Sequence, residues 1–219
     1  MSLRVSKKNM PTPEKTRLLL ATTNLKKLKE LQDLLSDLPV QCLSLRDFPA
    51  VETVEETGKT FEENAGIKAL GYAGQTGELT LGEDSGLCCD ALDGAPGVYS
   101  ARFSGEFHSD DANNKKLIAA MADVPENKRM AHYESVIALA EPGKLIGSDH
   151  GQVHGRIVCD PQGCEGFGYD PLFFYPPFGK TFGEVPAAMK HPVSHRGQAL
   201  RKMRQRLNAY LREKCGKSV

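Results

Sequence analysis

The chain of 219 residues carries 28 Lys and Arg against 28 Asp and Glu, a formal charge of zero, so it lacks the net field that holds a protein on nucleic acid or an anionic membrane. Its 40% hydrophobic and 26% charged residues, with 21 Gly, lie in the ordinary globular range and exclude collagen-like and wholly disordered chains. No apolar run approaches the roughly 18 residues of a membrane span, and Cys42, Cys88, Cys89, Cys159, Cys164 and Cys215 form no CxxC pair, which predicts free thiols in a reducing cytoplasm.

Residues 1–16 mix Lys, Pro and Ser without an apolar core and are expected to form a flexible N-terminal tail ahead of one domain over residues 17–215. The run RLLLAT (17–22) gives way to Leu25, Leu28, Leu31, Leu35 and Leu38. This change of period predicts a buried strand feeding an amphipathic helix, the opening of an α/β fold. A second strand is predicted over 40–45. Thr60 caps a second helix with Phe61, Ala65, Ala69 and Tyr72 near one face, broken at Gly74 and Gly77. Residues 79–82 and 86–92 read as two strands either side of a tight turn at Glu83, Asp84 and Ser85. Residues 109–121 predict a third helix capped by Ser109. Long strands over 131–141 and 145–158 are joined by Pro142-Gly143, which gives the sheet an antiparallel portion. Ser194 caps a last helix with Leu200, Met203, Leu207, Tyr210 and Leu211 on one stripe.

Four segments hold residues suited to chemistry. Thr22, Thr23, Asn24, Leu25, Lys26 and Lys27 stand where free N–H groups, hydroxyls and ammonium groups at a helix start suit a phosphate; in isolation the same residues are equally a cap followed by solvated lysines. Glu55, Glu56, Glu83 and Asp84 lie in loops or at predicted strand ends, where carboxylates can converge on a hard cation, whereas Glu62 and Glu63 suit the dipole of a first helical turn. The Gly-rich segment DPQGCEGFGYD (160–170) offers rings at Phe167 and Tyr169 beside Gly168 and Asp170, a pairing that can accept a planar ligand. Lys190, His195 and Arg196 cluster around a helix N-terminus, where cations oppose the macrodipole unless an anion offsets them. The later Arg201, Lys202, Arg204, Arg206 and Arg212 fill the faces left by the apolar stripe and read as a solvated surface. Gly58-Lys59-Thr60 and Gly179-Lys180-Thr181 lack the first glycine of a P-loop, and neither HExxH nor GxSxG occurs.

In order, LLLATTNLKKLKEL, EETGKTFEENAGIKA, GEDSGLCCDALDGAPGVYSARF, GFGYDPLFF and SHRGQAL resemble the inosine triphosphate pyrophosphatase family, bacterial dITP/XTP type. The resemblance covers about residues 18–211. It implies an elongated two-lobed α/β fold with a long mixed sheet flanked by helices and an active-site cleft between the lobes, in a homodimer. It implies hydrolysis of ITP, dITP and XTP to monophosphate and pyrophosphate, with Mg²⁺ as cofactor and no nucleic-acid or membrane partner. Residue by residue, Thr22 to Lys27 and Lys68 would hold the triphosphate, Glu56 and Asp84 would bind Mg²⁺ with Glu83 alongside, and Asp84 would accept the proton of the attacking water. Ser85 would touch substrate, while Phe167, Gly168, Tyr169, Asp170, Lys190, His195 and Arg196 would enclose the nucleoside. Two positions depart from the family pattern: Thr23 stands where Gly is common, and Glu83 where many bacterial members carry Asp. On this reading Arg196→Ala is expected to cost inosine nucleotide use far more than folding.

Overall fold

The computed structural model describes residues 15–105 and 109–216; of the expected tail, residues 1–14 lie outside the described residues. A mixed seven-stranded sheet runs in the order β2-β1-β3-β4-β5-β6-β7. Strands β1 (Thr16–Ala21), β2 (Val40–Ser44) and β3 (Leu79–Cys89) pair in parallel, and β3 pairs antiparallel with β4 (Met130–Glu141). Antiparallel pairing continues through β5 (Lys144–Ile157), β6 (Phe173–Tyr175) and β7 (Lys180–Thr181). The parallel half needs helical crossovers, which α1 (Leu25–Leu35) and α2 (Phe61–Thr76) supply, whereas β4 and β5 close directly at Pro142-Gly143.

Most local signals act as their chemistry requires. Asn24 accepts from the backbone N–H groups of Lys26 and Lys27, Thr60 from that of Glu63, and Ser109 from that of Ala112, each at a helix start. Ser194 does the same for Gly197 at 3.1 Å and opens α5 (His195–Gly216). Gly74 does not break α2; the helix runs on to a left-handed Gly77 at φ 75°.

The principal departure is in β3. No turn forms at Glu83, Asp84 and Ser85: the strand is continuous over Leu79–Cys89, and these three residues pair with Ile137, Val136 and Ser135 of β4. Acidic residues are depleted from strands when only local preference is counted, but here all three pair with β4, the Glu83 carbonyl and Ser85 N–H on the far edge bond to the Lys68 and Asp84 side chains, and the charges find tertiary partners. A continuous strand sends successive side chains to opposite faces, so Glu83 and Asp84 lie on opposite sides of the sheet.

That alternation organises the core. On one face, α1 and α5 cover Leu18, Leu20, Leu79, Leu81, Ile137 and Leu139. Further along the same strands, α3 (Asp110–Met121) and the 169–185 segment cover Leu87, Cys89, Tyr133 and Val153. Glu83, Ser85 and Ser135 form a polar band between these two apolar clusters. On the other face α2 packs Phe61, Ala65, Ala69 and Ala73 against Val136, Ala138 and Ala140. A Cβ on Gly82 would lie 2.5 Å from the Ala65 carbonyl oxygen and 2.6 Å from the Ala69 nitrogen, so glycine lets α2 sit directly on β3. Gly82→Ala is therefore expected to destabilise the fold by about 1–3 kcal/mol, read as a lower urea midpoint at unchanged m-value.

Candidate active site

The site begins at the polar band. Glu83 is only 2% exposed, and its Oε1 accepts from Arg196 Nε at 2.9 Å and Ser135 Oγ at 3.1 Å, while Oε2 lies 3.3 Å from Lys27 Nζ. Burial alone would raise the Glu83 carboxyl, but Arg196 and Lys27, with Lys68, outweigh it and hold it far below the usual carboxylate range. Arg196, itself 2% exposed, also donates from Nη1 to Glu30 of α1 and from Nη2 to Ser85 Oγ at 3.1 Å. Burial would lower its pKa, yet Glu83 and Glu30 raise it, so the guanidinium stays charged. Lys27 Nζ donates to the same Ser85 oxygen at 2.9 Å. With two cations donating to it, that hydroxyl keeps its own proton for a third partner. Lys27 is lowered by burial, against the pull of Glu83.

Asp84 projects from the opposite face toward α2. Its Oδ2 accepts from Asn64 Nδ2 at 3.1 Å and its Oδ1 from the Ser85 backbone N–H at 2.9 Å. Burial pushes its pKa up, and the negative charge of Glu56 adds to the rise against Lys68 and Lys27. Lys68, one helical turn after Asn64, donates to Glu56 Oε2 and to the Glu83 carbonyl oxygen, both at 2.9 Å. A carboxylate with a raised pKa next to lysines is chemically a proton acceptor. Glu56 and Asp84 also feel each other's charge, which makes them a two-carboxylate site. Among the described residues no group of three or more His, Cys, Asp or Glu converges to hold a metal. Two carboxylates suit Mg²⁺, which usually keeps several waters and completes its octahedron with substrate phosphates rather than with a protein cage. The residues present fit such an ion. Glu83, expected alongside, is directed to Arg196 instead, because strand alternation sends it to the other face.

An open cavity lies over the polar band. Asn24, Lys27 and Ser85 line one side, and Phe167, Gly168, Tyr169, Asp170, Lys190, His195 and Arg196 the other. Lys190 is paired with Asp170 at 2.5 Å, and the same carboxylate oxygen accepts from the Phe167 backbone N–H at 2.9 Å. The Phe167 ring carries three cations about its centroid, Lys190 at 5.2 Å, Arg196 at 5.5 Å and Lys26 at 5.7 Å. His195, 5% exposed, is held well below the usual imidazole range by burial first, then by Arg196 and Lys190. Its ring is neutral at pH 7. Tyr169 donates from its hydroxyl to the Ser100 carbonyl at 2.8 Å, which fixes the loop to the far cluster.

The structure brings most of the sequence-predicted residues to this one region. Lys26, Lys68, Glu56, Glu83 and Asp84 border the band without lining the cavity. Thr22 accepts from the Asn24 N–H at 3.2 Å, and Leu25 is 54% exposed. Thr23 carries no left-handed strain, since Asp93 is the one non-glycine with positive φ among the described residues. Glu62 and Glu63 serve the helix start and its surroundings: Glu63 accepts from the Lys59 N–H, and Glu62 from the Ser148 hydroxyl. The α5 cations are tied down, Arg204 to Asp37 and Arg206 to Asp149.

Arg196 corrects one expectation: it is the hub of a buried ion network, so its removal perturbs folding as well as any ligand contact. Glu30, Asn64, Tyr133, Ser135 and Asp110 were not legible as site residues. Glu30 follows Lys27 by three positions, one turn along the same helix face, a signal that could have been used. Asp110 accepts from the Gly168 N–H at 3.0 Å, and nothing in its local sequence marks that contact.

Residues 18–206 match the model of the Ham1 family. The chain is 51% identical over 192 residues to a dITP/XTP pyrophosphatase of Geobacter sulfurreducens, an alignment covering 88% of this chain and 96% of that protein. It is 49% identical, with the same coverage, to a dITP/XTP pyrophosphatase of Desulforamulus reducens. Among solved structures, a HAM1 protein from Coxiella burnetii superposes with a TM-score of 0.81 at 40% identity, covering 89% of this chain and 99% of that one. A nucleoside-triphosphatase / dITP/XTP pyrophosphatase from Mycobacterium abscessus gives 0.70 at 41% identity, covering 86% and 97%. The family match and these relatives run along nearly the whole folded length, and the chain belongs to the Ham1 family.

Proposed function

We propose that this protein hydrolyses the deaminated purine nucleoside triphosphates dITP, ITP and XTP to their monophosphates and pyrophosphate, and so clears them from the nucleotide pool. The observation that carries the reading is the junction of two unlike sites over β3: a raised-pKa carboxylate among lysines at one end, and a cavity walled by a ring and hydrogen-bond donors at the other.

The triphosphate chain lies along Thr22, Thr23, Asn24, Leu25, Lys26 and Lys27 and reaches Lys68. Lysines there reduce the repulsion that a polyanion presents to a nucleophile and stabilise charge building on the leaving group. Bound Mg²⁺, held by Glu56 and Asp84, would add Lewis-acid polarisation of the phosphoryl oxygens. Asp84 takes the proton of the attacking water; Asn64 and the Ser85 N–H fix its carboxylate plane. Ser85 donates its spare proton to a phosphate oxygen.

At the other end the base rests against Phe167. Lys190 and Arg196 keep N–H groups beyond those given to Asp170, Glu83, Glu30 and Ser85, and neutral His195 offers one more donor. Such donors accept the C6 carbonyl of hypoxanthine or xanthine and leave an unpaired donor pair against the adenine amino group, a mismatch that can cost on the order of 10⁴ in kcat/KM. The protein acts in the cytoplasm as a homodimer of a single two-lobed domain over residues 17–215. No described helix is long and apolar enough to cross a membrane.

Pyrophosphate release with Mg²⁺ tests the reading, comparing dITP, ITP and XTP with ATP, GTP and pyrimidine triphosphates. Turnover confined to the first three supports it. Preference for pyrimidine or 7-methylguanosine triphosphates refutes the base assignment, and tight ITP binding without turnover refutes catalysis. Glu56→Gln is expected to raise the Mg²⁺ concentration for half-maximal rate by roughly 10-fold or more, with little change in melting temperature, because Glu56 is a partly exposed loop residue.

A further inference from the structure

A buried histidine is ordinarily oriented by a hydrogen bond to one ring nitrogen, which fixes its tautomer and plane. His195 has no such partner at Nδ1, which is buried and unbonded. Its ring is instead stacked on Tyr133 of β4, with centroids 4.7 Å apart and planes within 11°. Tyr133 is locked in turn: its ring packs against Phe173 at 4.7 Å and lies parallel to Phe182 at 6.4 Å. Both phenylalanines are wholly buried and touch each other at 5.1 Å. A column of rings therefore runs from the apolar cluster under the 169–185 segment up to the imidazole that walls the cavity.

We infer that Tyr133 is a specificity-determining positioning residue, whose ring face sets the plane in which His195 meets the purine base. The inference rests on the proposed role of His195 toward the base. The stack favours one ring orientation where no hydrogen bond does so. Tyr133 also reaches the cavity wall itself; its function belongs to the ring face acting through His195, and the hydroxyl-free variant separates that from direct contact of its hydroxyl with the base.

The test is a double-mutant cycle on the full chain with Tyr133→Phe, Tyr133→Leu, His195→Ala and the Leu/Ala pair, read as kcat and KM with ITP and ATP. Tyr133→Phe keeps the stack and is expected to retain native ITP/ATP discrimination within about 3-fold. Tyr133→Leu is expected to lose roughly 10–100-fold of that discrimination, chiefly through a higher KM for ITP. In the His195→Ala background the same Leu substitution is expected to change discrimination by less than about 2-fold, because residues acting as one unit are not additive.

A full additional loss in that background overturns the inference and leaves Tyr133 a structural residue, as does a Phe variant that is as impaired as the Leu variant. If His195→Ala leaves ITP/ATP discrimination intact, the base-recognition reading itself fails. Melting curves accompany each variant. A Leu variant that does not fold is replaced by Tyr133→Met, which keeps apolar volume without a ring face, and the same criteria then decide.

Discussion

Asp84→Asn is expected to reduce pyrophosphate release by roughly 10²–10⁴-fold while binding of ITP persists. The amide keeps the size of the carboxylate but cannot take a proton from water. Stability should move the other way. Burial raises the folded-state pKa of Asp84 above its unfolded value, so the folded protein binds this proton more tightly, and ionisation costs stability as pH rises through that interval. Above that interval the cost is present in the native chain and absent from the Asn variant. The amide must set its NH2 against one of the donors that Asp84 accepts from, Asn64 Nδ2 or the Ser85 N–H, so the expected difference lies in the pH dependence: the variant's stability should hold up better than the native one's as pH rises through that interval, read by urea unfolding. A variant that loses activity together with folding would show that Asp84 is structural; one that stays active would remove it as the base. Sacrifice of stability at a reacting group is the usual trade in enzymes.

Arg196→Ala should give the opposite pairing of effects. Its guanidinium is shared by Glu83, Glu30 and Ser85, and removing it leaves Glu83 with Lys27 as its remaining close cation, a loss of about 3–5 kcal/mol for a broken buried network. For a domain of this size that amounts to a fall in melting temperature on the order of 10 °C. The pH dependence identifies the cause. In the native chain the Glu83 pKa is depressed below its usual value of 4.5; its contribution is present above that pH and is lost as pH falls below it. Without Arg196, Glu83 keeps only Lys27 as a close cation, so its pKa is less depressed and its protonation at low pH costs the variant less than the native chain. The gap in stability between native and variant should thus narrow below about pH 4.5. A constant gap across pH 3–7, measured by urea unfolding, would assign the loss to packing alone.

Much of the fold is legible along the chain because its signals are local. The leucine spacing from Leu25 to Leu35 and the caps Asn24, Thr60 and Ser109 depend on residues within one or two turns. So does the hairpin at Pro142-Gly143, which joins β4 to β5. The candidate site is legible by residue type for the same reason: a lysine-rich helix start, paired acids and a Gly-aromatic loop stand out within short windows. The misreading of Glu83, Asp84 and Ser85 as a turn has a physical origin. Three polar residues before a glycine satisfy turn chemistry when no partner is in view, and only pairing with β4 shows that the chain runs through them as a strand.

What the sequence alone determined was therefore the set of elements and the chemical inventory: a mixed α/β chain without a membrane-spanning run, carrying lysines, carboxylates and rings in family order. Which carboxylate does what was decided only in three dimensions. Strand alternation sends Glu83 to one face and Asp84 to the other, so that one becomes the anchor of Arg196, 113 residues away, and the other a buried carboxylate beside Asn64. Arg196 also reaches Glu30 across 166 residues, and His195 takes its ring plane from Tyr133 on another strand. Charge pairing and ring stacking act at contact distance in a medium of low polarity, and only packing of the two apolar clusters around the polar band brings those atoms within it.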